Sequence, residues 1–259
     1  MRRLSLLCVL AVGFGHPDAF LLGAPEPGPR LSVAAAANLV YALDALDADF
    51  TASHPGVKVV SSTGASGSLV AQISQGAPFD VFLSADASFT KALVKTGNAD
   101  PGSLSTFAVG RLVLWTVKPA VPMDSVAGAV RSAAVQRLSI ANVDTAPFGR
   151  AAKQAMIKLG IWGEAQPKVI FGESISQAAQ FVQTGAADAG FVALSVVRSP
   201  TVKSKGQWID VPPGLYDPLE QCAIITRHGS TNPVAAEYVA YLKSPGARRI
   251  LDAYGYASR

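Results

Sequence analysis

The chain has 259 residues, 49% apolar and 15% charged, with a net charge of +4 at neutral pH. A chain this long and this apolar can bury a large core in one or two domains, and its composition is not that of a disordered segment. The basic residues are scattered and no aromatic-plus-basic stripe interleaves them, so no nucleic-acid partner is expected.

At the amino terminus Arg2 and Arg3 precede the apolar run LSLLCVLAVGF, and LLGAPEPGPR follows it. This is the pattern of a secretory signal. His16, Pro17 and Asp18 end the run short of the roughly 20 residues a membrane span needs. Residues 1–30 therefore read as a leader cleaved near Ala24, and the mature protein as exported. Cys8 lies inside the apolar stretch without the small residues before it that a lipoprotein site requires. Its loss leaves Cys222 alone, so neither an internal disulfide nor a thiolate metal cluster is possible. In QCAIIT, Cys222 reads as a small buried strand residue.

After residue 30 the chain alternates short apolar runs with helical patterns. RLSVAAA is strand-like. NLVYALDALDADFTAS follows with Leu39, Leu43, Leu46 and Phe50 at helical spacing. VKVVSS and GSLVAQISQG, then DVFLSA and DASFTKALVKTG, repeat the strand–helix unit. Three such units predict a parallel sheet covered by helices on both faces. From about residue 108 the scheme recurs. VGRLVLWTV is a predicted strand, MDSVAGAVRSA a short helix and RLSIAN a strand. PFGRAAKQAMIKLG is a helix with Pro147 in its first turn, where proline costs no hydrogen bond. KVIFG, SISQAAQFVQTG and AGFVAL give strand, helix and strand. QWIDVP and EQCAIITR are further strands, and the helices NPVAAEYVAYLK and PGARRILDAYG follow. The fold class is two-lobed α/β, each lobe a mixed, mostly parallel sheet flanked by helices. The second lobe is inserted into the first or follows it, and the inserted arrangement puts residues 31–107 with 220–259 in lobe one and 108–219 in lobe two.

Ligands of open α/β sheets bind beyond the carboxyl ends of strands, where helices begin. Four such loops share one chemistry. AAAANL places Asn38 at the N-cap of the first helix, and TGASGSL places Ser66 at the start of the second. NVDTAPFGR leads into a helix through Pro147, Phe148 and Gly149, and FGESISQ leads into another through Ser174 and Ile175. Each is an ordinary helix start taken alone, since Asn and Ser are common caps worth about 1 kcal/mol. Together, two per lobe, they supply free N–H groups and neutral hydroxyl or amide groups with almost no cationic side chain. That is the donor set for a deprotonated tetrahedral oxyanion. A protonated anion would need an acceptor for its proton, and Asp144 and Glu173 are the nearby carboxylates.

AAANL, SSTGASGSLVAQI, GAPFDVFLSAD, NVDTAPFGRAAKQAMIKLGIW and ADAGFVALS, in this order, resemble the periplasmic molybdate-binding proteins of ABC transporters. The resemblance implies a type II periplasmic binding fold that holds molybdate or tungstate between its lobes and delivers it to a membrane permease. It implies a periplasmic protein with no cofactor and molybdenum bound only as the oxyanion, and the four donor loops, forming one cleft in one copy, predict a monomer. The residues matching the family's ligands are Ala37, Asn38, Ser66, Phe148 and Ile175. Many members carry Ser at the position of Asn38 and a Tyr hydroxyl at that of Ala193, and a methyl group cannot replace that donor. A receptor for another oxyanion, such as sulfate, is the alternative binding reading.

Enzyme patterns are weaker. SFTK, Ser88 to Lys91, and KTG, Lys95 to Gly97, match two motifs of penicillin-recognising serine enzymes. Both fall in one predicted helix, where solvated lysines and a glycine C-cap explain them. A serine triad would need His54 or His228, and both read as turn residues. No catalytic function is expected.

Overall fold

The computed structural model describes residues 28–257. Cys8, the cleavage position near Ala24 and most of the leader lie outside the described residues. The chain lays down strands β1 (Arg30–Ala36), β2 (Lys58–Gly64), β3 (Val81–Ser84) and β4 (Ser105–Gly110). It then builds β5 (Leu112–Thr116), β6 (Leu138–Ala141), β7 (Val169–Gly172), β8 (Ala189–Ala193) and β9 (Gln207–Asp210), and returns with β10 (Leu219–Ile225). Two five-stranded sheets result, in the orders β2-β1-β3-β10-β4 and β7-β6-β8-β5-β9. In the first, β1 runs parallel to β2 and β3, while β10 is antiparallel to β3 and β4. In the second, β6 is parallel to β7 and β8, and β5 is antiparallel to β8 and β9.

Helices follow the strands: α1 (Val40–Ser53), α2 (Ser66–Ser74), α3 (Ala87–Lys95), α4 (Val126–Arg131), α5 (Pro147–Lys158), α6 (Trp162–Ala165), α7 (Ile175–Gln183), α8 (Leu194–Arg198), α9 (Pro233–Tyr241) and α10 (Pro245–Ala253). Their starts carry local signals. Asp86, Ser125, Ser174, Asn232 and Ser244 each cap a helix by accepting a backbone N–H. Gly76 and Gly97 follow α2 and α3 at φ of +90° and +69°, the left-handed turn that ends a helix. Leu43, Leu46 and Phe50 bury one face of α1 against the first sheet, where Tyr238 of α9 joins them. Leu69, Phe82, Leu93 and Ile224 fill the other face of that sheet. The second lobe packs around the fully buried Trp115 and Phe191.

Two sequence expectations change here. The run VGRLVLWTV, predicted as one strand, is two: β4 ends at Gly110 in the first sheet and β5 begins at Leu112 in the second. The chain changes sheets at Arg111, and a Cβ on Gly110 would lie 2.9 Å from the Phe148 ring. Asn38 is not the N-cap of α1. A 3-10 turn over Ala37–Leu39 comes first, Leu39 holds the cap position, and no side chain caps it. The short helices α6 and α8 carry no periodicity long enough to read.

Candidate functional site

The carboxyl ends of β1, β2 and β3 in the first lobe face those of β6 and β7 in the second. The loops leaving them enclose a cavity lined by Ala37, Asn38, Ser66, Phe148 and Ile175, with Ala and Gly residues and Pro147 between. No charged side chain lines it. It is small: its volume is about 10 Å³, close to the least that holds one water-sized group. A sugar or a peptide does not fit. A larger groove of about 540 Å³ lies on lobe one beside Leu104 and Val239, away from the helix starts.

What converges on the cavity is backbone. Ser66 and Ile175 are the first residues of α2 and α7, and Phe148 is the second of α5. N–H groups in a first turn have no intrahelical acceptor, and they carry the positive end of the helix dipole. Local chemistry fixes each loop. Asn142 Oδ1 accepts the N–H of Asp144 at 2.8 Å and of Thr145 at 3.3 Å, folding the chain ahead of α5. Gly149 lets α5 start against the end of β6, since a Cβ there would sit 2.1 Å from the Ala141 carbonyl oxygen. Gly172 does the same for α7, with Ala178 N 2.6 Å from the would-be Cβ.

The two polar side chains behave differently. Ser66, 1% exposed, accepts the Ala85 N–H at 3.3 Å. That contact holds the oxygen and leaves the hydroxyl proton to donate. Asn38 donates through Nδ2 to Gln221 Oε1 at 2.8 Å and to Tyr256 OH at 3.0 Å. Gln221 is itself oriented by its bond to the Leu219 carbonyl. Both amide hydrogens of Asn38 are therefore engaged behind the cavity, and Oδ1 is buried without a donor from the protein. The Asn38 side chain, expected as a donor, is thus committed to the protein, while the residue itself lines the cavity. Ala193 caps α8, is 1% exposed and does not line the cavity.

Four contacts tie the lobes at this place. Gly67 N–H donates to Thr145 O at 2.9 Å, Ser176 Oγ to Ala37 O at 2.9 Å and Ser195 Oγ to Asn38 O at 2.8 Å. Arg150 of α5 pairs with Asp86, which also caps α3, and lies over the Phe89 ring. The lobes are closed on each other.

A model of the bacterial extracellular solute-binding proteins matches residues 31–257. The chain belongs to this family. It is 42% identical over 248 residues to the molybdate-binding protein of Azotobacter vinelandii, covering 96% of each chain. It is likewise 42% identical over 237 residues to that of Rhodobacter capsulatus, with 92% of each covered. The solved periplasmic molybdate-binding protein of Azotobacter vinelandii superposes with a TM-score of 0.82 at 35% identity, covering 88% of this chain and 99% of that one.

The residues singled out for other chemistry in this solute-binding protein lie elsewhere. His54 sits at the far end of α1, about 20 Å along the helix from the cavity, stacked on Phe50 at 4.0 Å. His228 lies 3.9 Å from Asp80, beyond the opposite end of β3. Ser88 is exposed in the first turn of α3. Asp144 and Glu173 are exposed and outside the cavity wall. Cys222 is buried in β10 beside Thr106, and burial raises its thiol pKa. Among the described residues there is no helix long and apolar enough to cross a membrane and no cluster able to hold a metal ion.

Proposed function

We propose that this solute-binding protein captures molybdate or tungstate between its lobes and delivers it to the membrane permease of an ABC transporter. The observation that carries the reading is the cavity itself, uncharged, small and ringed by helix N-termini from both lobes. The molybdate-binding relatives named above support the same solute. Ser66 donates its hydroxyl and N–H, and Ala37, Asn38, Phe148 and Ile175 donate backbone N–H groups. Molybdenum is held only as the oxyanion, with no cofactor and no covalent step. Dipoles rather than cations neutralise the dianion, so it is released without breaking an ion pair. The protein works outside the cytoplasm as a monomer that binds one oxyanion per chain.

Calorimetric titration with molybdate, tungstate, sulfate and phosphate tests the reading. The expected result is one site per chain, filled by the first two anions in clear preference to the others. Preference for sulfate, or half a site per chain with a dimer in sedimentation, contradicts it.

A further inference from the structure

The first binding loop is held from behind by the other lobe. The peptide joining Ala37 to Asn38 lies in the cavity wall and carries the N–H proposed above as a donor, while its carbonyl accepts the Val40 N–H of its own lobe and, at 2.9 Å, the Ser176 hydroxyl of the other. Ser176 stands one residue after Ile175, at the second position of α7 in lobe two. The next carbonyl, Asn38 O, is clasped by two hydroxyls: Ser195 of α8 in lobe two at 2.8 Å, and Tyr256 at 2.7 Å. Tyr256 is fixed in turn by the bridge between Val109 and Ala257, beside the crossing from β4 to β5. Neither serine lines the cavity.

We infer that Ser176 and Ser195 are positioning residues that latch the closed lobes and strengthen the Asn38 N–H as a donor. A hydrogen bond accepted at the carbonyl of a peptide polarises that peptide's N–H. The series Ser176 hydroxyl, Ala37–Asn38 peptide, bound oxyanion exists only when the lobes meet. Closure and anion contact therefore reinforce each other through one peptide group. Ser195 does the same work mechanically, pinning the adjacent carbonyl against lobe two. Tyr256 holds that carbonyl from its own side whether or not the lobes are closed.

The inference rests on the proposed oxyanion site, and the test separates the two. Ser176→Ala and Ser195→Ala are compared with wild type by molybdate titration, stopped-flow release, melting of the unliganded protein and small-angle scattering. Each variant is expected to bind about 2- to 12-fold more weakly, with the loss in the release rate. Ser176→Thr, which keeps the hydroxyl, restores affinity. A purely structural role would instead lower unliganded melting and leave release alone. Wild-type binding with unaltered release from both alanine variants overturns the latch. Failure of wild type to bind molybdate sinks the proposed function but leaves the latch decidable. Unliganded wild type must then scatter as a more compact particle than the Ser176→Ala/Ser195→Ala double variant, and identical profiles overturn the latch.

Discussion

Ser66 joins three properties at one residue: the first turn of α2, 1% exposure and a hydroxyl whose oxygen is already anchored by Ala85 N–H. The proposed function uses its proton as a donor to the oxyanion. A hydrogen bond to a charged partner is worth about 1.5–3 kcal/mol. Ser66→Ala is therefore expected to weaken molybdate binding by about one to two decades while the fold stays intact. Titration and melting of the same sample check this. Lowered stability with unchanged affinity would reduce Ser66 to a structural group. Ser88→Ala, in the solvated first turn of α3, is the control and should leave affinity unchanged.

At the scale of elements, glycines decide how closely helix starts approach their neighbours. A Cβ at Gly67 would lie 3.0 Å from Thr145 Cα and 3.1 Å from Thr145 O and the Phe89 ring. The Phe89 ring can turn aside, but Thr145 is backbone of the other lobe. Gly67→Ala should thus hinder closure while favouring helix α2 by about 0.5–1 kcal/mol. The expected signature is weaker binding with unliganded melting equal to or above wild type, and tighter binding would refute it. Gly149 faces backbone within its own lobe, so Gly149→Ala has no such escape. It should cost about 1–3 kcal/mol in denaturant unfolding, ligand present or not. The buried face of α1 and the glycine stop after α3 were legible in the sequence because each signal spans a few residues, whereas the cap read at Asn38 is not one. The break at Arg111 was not, since an unbroken apolar run does not record a change of sheet.

For the whole molecule, no charged side chain lines the cavity. Amides and hydroxyls do not titrate between pH 6 and 9, so molybdate affinity should stay nearly flat across that range. A loss centred near the pKa of a histidine would implicate His54 or His228 and overturn the site. Stability responds to acid instead. Burial alone would raise the Asp188 carboxyl, but the Lys118 ammonium and the N–H groups of Arg137 and Gln136 outweigh it and hold the pKa below its usual value. The folded state therefore releases this proton more readily than the unfolded one. The stabilisation is complete above the ordinary aspartate pKa, about 4, and is lost as pH falls through the lower folded value. Asp47 acts in the opposite sense, because burial raises its carboxyl despite bonds from Tyr238 and Ser61. Asp188→Asn isolates the first effect. Its stability, followed by denaturant titration from pH 6 to 3, should start lower and fall less steeply than wild type. Parallel curves would show that Asp188 does not drive the acid limb.

The sequence by itself determined the strand–helix alternation, the two lobes' kinship with a binding-protein family, and which loops carry donors without charge. The alternation and the donor loops follow from periodicity and the small polar residues at helix starts, which act over a few neighbouring residues, while the kinship rests on the resemblance of five motifs in order. Only the tertiary structure decided what Asn38 does. Its amide reaches Gln221 and Tyr256, 183 and 218 residues away, so a residue that reads locally as a helix cap becomes a strut behind the cavity. The serines at 176 and 195 show the same limit, meeting the carbonyls of residues 37 and 38 across 139 and 157 residues of chain. A serine hydroxyl can cap, face solvent or bridge lobes, and its own neighbours in sequence do not select among these. The selection is made when two sheets close on each other and bring buried carbonyls within hydrogen-bond reach, where an unpaired polar group would be costly.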